Sequence, residues 1–166
     1  MGCDIHCYIE YRRKTDRGHW NGFGGRINPG RFYAMFSIMA GVRKYDGSPT
    51  LFKPKGLPDD LGFESKDDNR FYITDTTSEG YVTKAKAYEW VAKGYSKLVD
   101  EHWVTNPDWH SHSWLTPNEY NEAIEAFKKS CANGFYLDPE YTAILDCLRS
   151  FERQGFESRL VFWFDN

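Results

Sequence analysis

Asp4 and His6 stand two residues apart in a segment, Gly2 to Arg12, that alternates strictly between apolar and polar side chains. On a β-strand such residues project from the same face, about 6–7 Å apart. That spacing suits two ligands of one metal, or a general base and the carboxylate that orients it. A second constellation, His110-Ser111-His112, repeats the i, i+2 spacing about a hundred residues later, and in an extended chain both imidazoles point one way. Together Asp4, His6, His110 and His112 form a nitrogen and oxygen set fit for zinc, manganese or iron, or for acid/base work without a metal. The same residue types also populate a solvent-facing strand or the approach to a capped helix, so spacing alone does not bring the two groups together.

A third group is cationic and aromatic: Arg31, Tyr33 and Arg43, with Lys55. Arg31 and Arg43 bracket one expected helix, which sets them about 15–18 Å apart, too far to share a phosphate. Trp103, Trp109 and Trp114 crowd the connector around the His-Ser-His segment, where one ring stacked over a base or sugar is an ordinary use of tryptophan. That connector runs into Thr116-Pro117-Asn118-Glu119, a capping box with proline at the first helical position, whose dipole favours an anion. Nucleophile elbows, phosphate-binding glycine loops and the zinc-protease motif do not occur, and Gly22-Phe23-Gly24-Gly25 reads as a turn.

These residues need elements to hold them. Cys3, Ile5, Cys7 and Ile9 form the apolar face of the first strand, with Asp4, His6, Tyr8, Glu10 and Arg12 opposite. Lys14 to Pro29 reads as a loop or loose hairpin. Phe32, Met35, Phe36 and Met39 mark a helix near 31–40 closed by Gly41. Residues 44–70 show no period and read as a long irregular loop. A short strand follows at 70–74 and a helix at 83–93. Tyr120, Ile124, Phe127 and Cys131 stripe the helix begun at Thr116; Tyr141, Ile144, Leu145, Leu148 and Phe151 stripe another, opened by Asp138-Pro139. The closing run Arg159 to Asn166 is apolar on both faces, as a central strand is. The fold expected is a single α+β domain over residues 1–166: a small mixed or antiparallel sheet containing both terminal strands, about four helices and long loops, with Asp4, His6 and Asp165 near a common edge.

Composition bounds the function. The chain has 166 residues, 17% of them aromatic, which excludes disorder as its general state. Its 21 basic and 24 acidic side chains give a formal charge of −3, against the concentrated basic surface that duplex nucleic acid requires. No apolar run is long enough to span a membrane. A myristoylation signal fails because His6 stands where Ser or Thr is needed. Without an export signal, Cys3, Cys7, Cys131 and Cys147 are expected to be reduced thiols in a cytoplasm, with none binding metal.

The segments Gly2-Cys3-Asp4-Ile5-His6, His110-Ser111-His112-Ser113-Trp114-Leu115 and the Phe162-Trp163-Phe164-Asp165-Asn166 end resemble an uncharacterised family of small bacteriophage and prophage proteins. That family shares a GCDIH-type start, an HSHSWL segment and an FWFDN-like end. The stretches Arg31 to Arg43 and Lys55 to Pro58 also look like the family's, so the likeness spans most of the chain. It implies a phage or prophage gene acting in a bacterial cytoplasm, and that Asp4, His6, His110, His112, Asp165 and Asn166 form one site. The expected activity is hydrolysis of a phosphorus-containing or nucleotide-like small molecule, phosphoesterase-like. His6, His110, His112 and Asp4 would be catalytic or hold a divalent metal, and Arg31, Tyr33, Arg43, Trp114, Asp165 and Asn166 would bind the ligand. Two alternatives stand beside it: a non-catalytic protein that sequesters a host nucleotide signal, and an inhibitor of a host defence protein.

Overall fold

The first strand of the chain pairs with the last along their whole length. The computed structural model describes residues 2–44, 47–68, 71–73, 81–82, 89, 103–104, 109–131 and 136–165. In chain order the elements are β1 (Asp4–Arg13), β2 (Asn21–Ile27), α1 (Tyr33–Ala40), α2 (Phe63–Asp68), β3 (Phe71–Ile73), β4 (Tyr81–Val82), β5 (Trp103–Val104), β6 (His110–Leu115), α3 (Pro117–Ser130), α4 (Pro139–Arg153) and β7 (Phe156–Asp165). The main sheet is antiparallel in the order β2-β1-β7-β6, and a small sheet of order β4-β3-β5 joins β3 to β4 in parallel and to β5 in antiparallel. This is an α+β architecture with both terminal strands in one sheet and four helices among the described residues. The helix expected over 83–93 lies outside the described residues apart from Glu89.

One face of the main sheet is the expected core. Cys3, Ile5, Cys7 and Ile9 of the first strand segment and Leu160, Phe162 and Phe164 of β7 pack with Met35, Phe36 and Met39 of α1, Ile124 and Phe127 of α3, and Ile144 and Leu148 of α4. The local signals do what their chemistry predicts. Gly41 ends α1 in the left-handed conformation at φ 67°. Thr116 Oγ1 accepts from the Glu119 N–H, and Glu119 Oε2 accepts from the Thr116 N–H, closing the capping box. Asp138 precedes α4 without a side-chain cap bond, so Pro139 alone marks that start.

The opposite face is covered by chain rather than by helix. Leu57 and Leu61 pack on Tyr8, Val161 and Trp163. Gly56 N–H donates to the His112 carbonyl at 2.9 Å, and Lys55 N–H donates to Ser113 Oγ at 3.1 Å. β7 is therefore covered on both sides, which is why its sequence is apolar on both. The span expected as featureless loop also contains α2, a helix with no apolar stripe because its first residue, Phe63, is 70% exposed.

The polar face of β1 is not solvated. Glu10 is opposite Arg159 and Arg12 opposite Glu157 in the β1–β7 register. Arg159 meets Glu10 Oε2 at 2.7 Å with both side chains buried, and Arg12 Nε meets Glu157 Oε2 at 2.6 Å. Glu10 Oε1 accepts the Gly62 N–H, while Asp60 accepts from Arg159 and from the Trp20 indole. The covering segment is thus tied to the sheet through one buried ion pair. Breaking such a pair strands a buried charge, which costs roughly 3–5 kcal/mol. Glu10→Ala is expected to lose stability of that order in urea unfolding, and Glu10→Met with Arg159→Met to lose less than the two single changes together. Additive losses would show that the two groups are not coupled.

Candidate functional site

β1 starts where β7 ends, and this end of the sheet gathers most of the residues singled out by type. Asp165 lies opposite Asp4. Its Oδ1 accepts the Asp4 N–H at 3.2 Å, and its Oδ2 lies 2.6 Å from His6 Nε2. His6 is only 4% exposed. Burial pushes its pKa down, and the hydrogen bond to Asp165, which works the other way, does not restore it. The imidazole is therefore neutral near pH 7. A carboxylate only accepts, so Nε2 carries the proton, and Nδ1 is left as a base. The orienting carboxylate is Asp165, not the neighbouring Asp4.

Asp4 has a different partner. Arg31 holds it with two hydrogen bonds, Nε to Oδ1 at 2.5 Å and Nη2 to Oδ2 at 2.8 Å, and the Arg31 bond is the main cause of its lowered pKa. Arg43 Nη2 donates to the Gly2 carbonyl at 3.3 Å, with its guanidinium 5.9 Å from the Tyr33 ring centre. The Tyr33 hydroxyl accepts the Cys3 N–H. The expectation that Arg31 and Arg43 stand far apart is corrected here. α1 runs only from Tyr33 to Ala40, and both arginines turn back onto Gly2. A Cβ on Gly2 would sit 2.3 Å from Arg31 Nη1, so glycine is what lets that guanidinium lie against the backbone.

The two histidines of β6 separate. His110 pairs with Phe164 and Ser113 with Phe162, so Ser111 and His112 together face the single residue Trp163. Ser111 takes φ 53° to make this bulge. The bulge resets the alternation: His110 stacks on Phe164, on the helix side, while His112 stacks on Trp163, on the other. An i, i+2 spacing predicts one shared face, and the inserted residue breaks that rule. His6 stacks on Trp163 as well, at 5.7 Å. Because β1 and β6 flank β7 on opposite sides, the indole stands between the two imidazoles, and His6 and His112 do not converge on one point. Nor do the four expected metal donors: Asp4 is on Arg31, His110 is on the helix side, and Trp163 divides the rest. Among the described residues no group of three or more His, Cys, Asp or Glu is arranged to hold a metal ion.

Trp114 belongs elsewhere. Lys55 lies 4.1 Å from its ring centre and pairs with Glu119 at 2.7 Å. Trp114 lines a cavity of about 770 Å³ with Trp20, Arg12, Asp60, Glu157 and Arg159, roughly 25 Å along β1 from Asp4. Arg12, Arg159 and Arg17 there are paired with carboxylates. The start of α3, expected to help hold an anion, opens into this cavity and is filled by its own capping box. Asn166 lies outside the described residues. Cys3, Cys7, Cys131 and Cys147 are free thiols.

One participant was missed from sequence: Trp163, which with Trp109, a ring of the connector singled out above and tilted 4.8 Å from His6 and 5.4 Å from Trp163, packs against the imidazole. Trp163 lies opposite His6 in the register, the one signal that could have found it. No known protein family, no curated protein and no solved structure matches the chain.

Burial pushes the His112 pKa down to about 4, aided by His110 and His6. Its unfolded value is about 6.5. Acid therefore favours the unfolded chain: stability present above pH 6.5 is lost as pH falls toward 4, on the order of 3 kcal/mol from this group. His112→Phe keeps a ring against Trp163 and removes the titration. Urea midpoints at pH 7.5, 5.5 and 4.5 are expected to fall less steeply in this variant; parallel curves would assign the acid sensitivity to other groups.

Proposed function

We propose that the protein is a small hydrolase acting on a phosphorus-containing small molecule at the Asp4–Asp165 end of the sheet. The observation that carries this reading is the 2.6 Å contact between buried His6 and Asp165, set beside Arg31, Arg43 and Tyr33. Asp165 fixes the tautomer, His6 Nδ1 takes a proton from water, and the water oxygen forms the new bond to phosphorus. The bond from phosphorus to the leaving oxygen breaks, and that oxygen recovers the proton from the imidazolium. The guanidiniums near Gly2 face the charge that gathers on the phosphoryl oxygens. If the gene is of phage origin, as its resemblance implies, the substrate is a small molecule of the host cell.

The test is turnover of a panel of phosphate monoesters, diesters and nucleotides, followed by phosphate release and chromatography. His6→Asn is expected to lower kcat/KM by about 10²–10⁴ with little change in melting temperature. Because the folded pKa of His6 is depressed, the rate should hold level above pH 7 and fall on the acid side, with an apparent pKa below 6.5. A rate flat from pH 5 to 8, or undiminished in His6→Asn, would overturn the reading. Ligand bound tightly and recovered unchanged would make the protein a sequestering binder instead.

Gly2→Ala probes the cationic end separately. The added methyl displaces the tip of a flexible side chain, so stability should change little. KM should rise about three- to tenfold as Arg31 shifts, on the scale of one charge-assisted hydrogen bond, with kcat changed less.

A further inference from the structure

Among the described residues, two stacked side chains on the covered face of the sheet each hold a buried polar atom with no hydrogen-bond partner. The Trp163 indole Nε1 is buried in a residue that is 0% exposed, and His112 Nε2 is buried beside it. A buried donor without an acceptor carries a cost comparable to a lost hydrogen bond. The two rings are stacked 5.8 Å apart, so both atoms belong to one ring group, with Trp109, His6 and Tyr8 around it.

We infer that this ring group is the subsite for a nucleobase, with the Trp163 indole N–H donating to an acceptor on the base and His112 Nε2 making the second edge contact. The inference rests on the hydrolase reading for the position of the phosphate, and deepens it by naming the substrate as a nucleotide. Its chemistry follows from the surroundings. An indole N–H is only a donor, so its partner must present a lone pair. The ring group itself contains no Lys or Arg: Arg26 of the neighbouring β2 acts on His6 from outside it, Lys55 is on Trp114 and Glu119, and Arg31 and Arg43 are at the Asp4 end. An anion placed among these rings would be desolvated without a counter-charge, whereas an uncharged planar heterocycle with acceptor and donor edges is matched. Trp109, half-buried like His112, is the ring that turns aside to admit the base and then stacks on it. The phosphate of the same molecule then lies toward Arg31 and Arg43, past His6.

The experiment uses the full chain with ¹⁵N-labelled tryptophan, the Trp163 indole resonance being identified by its loss in Trp163→Phe. The four nucleosides, which carry no phosphate, are titrated first; at least one should move the Trp163 indole N–H downfield. The matching nucleoside monophosphate and ribose 5-phosphate are then compared in binding and turnover. Trp163→Phe keeps the ring and removes the donor, and should weaken the nucleotide about tenfold more than it weakens ribose 5-phosphate. His112→Gln should act in the same direction. No response of the Trp163 indole to any nucleoside overturns the subsite. So does equal use of ribose 5-phosphate and nucleotide, while leaving the hydrolase reading standing. A Trp163→Phe protein with a lower melting temperature and unchanged discrimination would assign the N–H to a structural water only, and also overturns it. Inertness to every phosphate ester, with the indole still shifted by a nucleoside, would remove the hydrolase and keep the base subsite.

Discussion

The ten-residue register between β1 and β7, from Asp4 opposite Asp165 to Arg13 opposite Phe156, is the constraint on which the site depends. It joins residues more than 140 positions apart and fixes, in one step, every pairing on both faces. A slip of one residue would carry Glu10 into the helix-side core and Ile9 onto the ion-paired face. The buried Glu10–Arg159 pair sits in the middle of that register. It is of doubtful worth as a stabiliser, since burying two charges costs nearly as much as their attraction returns. Its effect is on the alternatives: any other register leaves two charges buried and unpaired. Because the pairing closes such a long loop, the site cannot assemble until the last strand is in place.

The face that carries the proposed site is also a core. Along it the environment changes in steps, from paired charges at Arg12 and Arg159, through the rings of Tyr8, Trp163 and Trp109, to His6 and Asp165 at the end. This order gives His6 its character. The same rings that stabilise the face by burial strip water from the imidazole and depress its pKa, so packing and base strength have one cause. The hydrogen bond from His6 Nε2–H to Asp165 then supplies orientation and tautomer. Asp4 does not compete for the imidazole because Arg31 holds both of its oxygens.

Much of this was legible in the amino-acid sequence where the signal was local. The alternation of β1, the doubly apolar β7, the Thr116 capping box and the Gly41 stop each predict the element that forms. From the two terminal strands alone it follows that Asp4, His6 and Asp165 lie close. What was not legible depends on pairing. Glu10 and Arg159 look like ordinary polar residues until the register sets them opposite each other. Arg31 and Arg43 were placed by helix length, but long side chains turn back, and a glycine at position 2 gave them somewhere to go. α2 is too short and too exposed to show a stripe.

His110 and His112 show most clearly how a spacing rule fails. Two residues apart on a regular strand they share a face; one inserted residue, Ser111 at positive φ, divides them. The bulge places two residues opposite Trp163, and a single central residue then stacks with His6 on one side and His112 on the other. Had β6 been regular, the residue lost from the register would have changed which side chain meets Trp163 and how β6 meets the covering segment at Gly56. The bulge therefore separates two roles that the sequence presents as one pair. His6 takes its orientation from Asp165 and has a base to offer; His112 has no carboxylate partner among the described residues, is held neutral by burial, and presents a ring and one polar edge. The distinction between them follows from a strand that gains one residue where its neighbour does not.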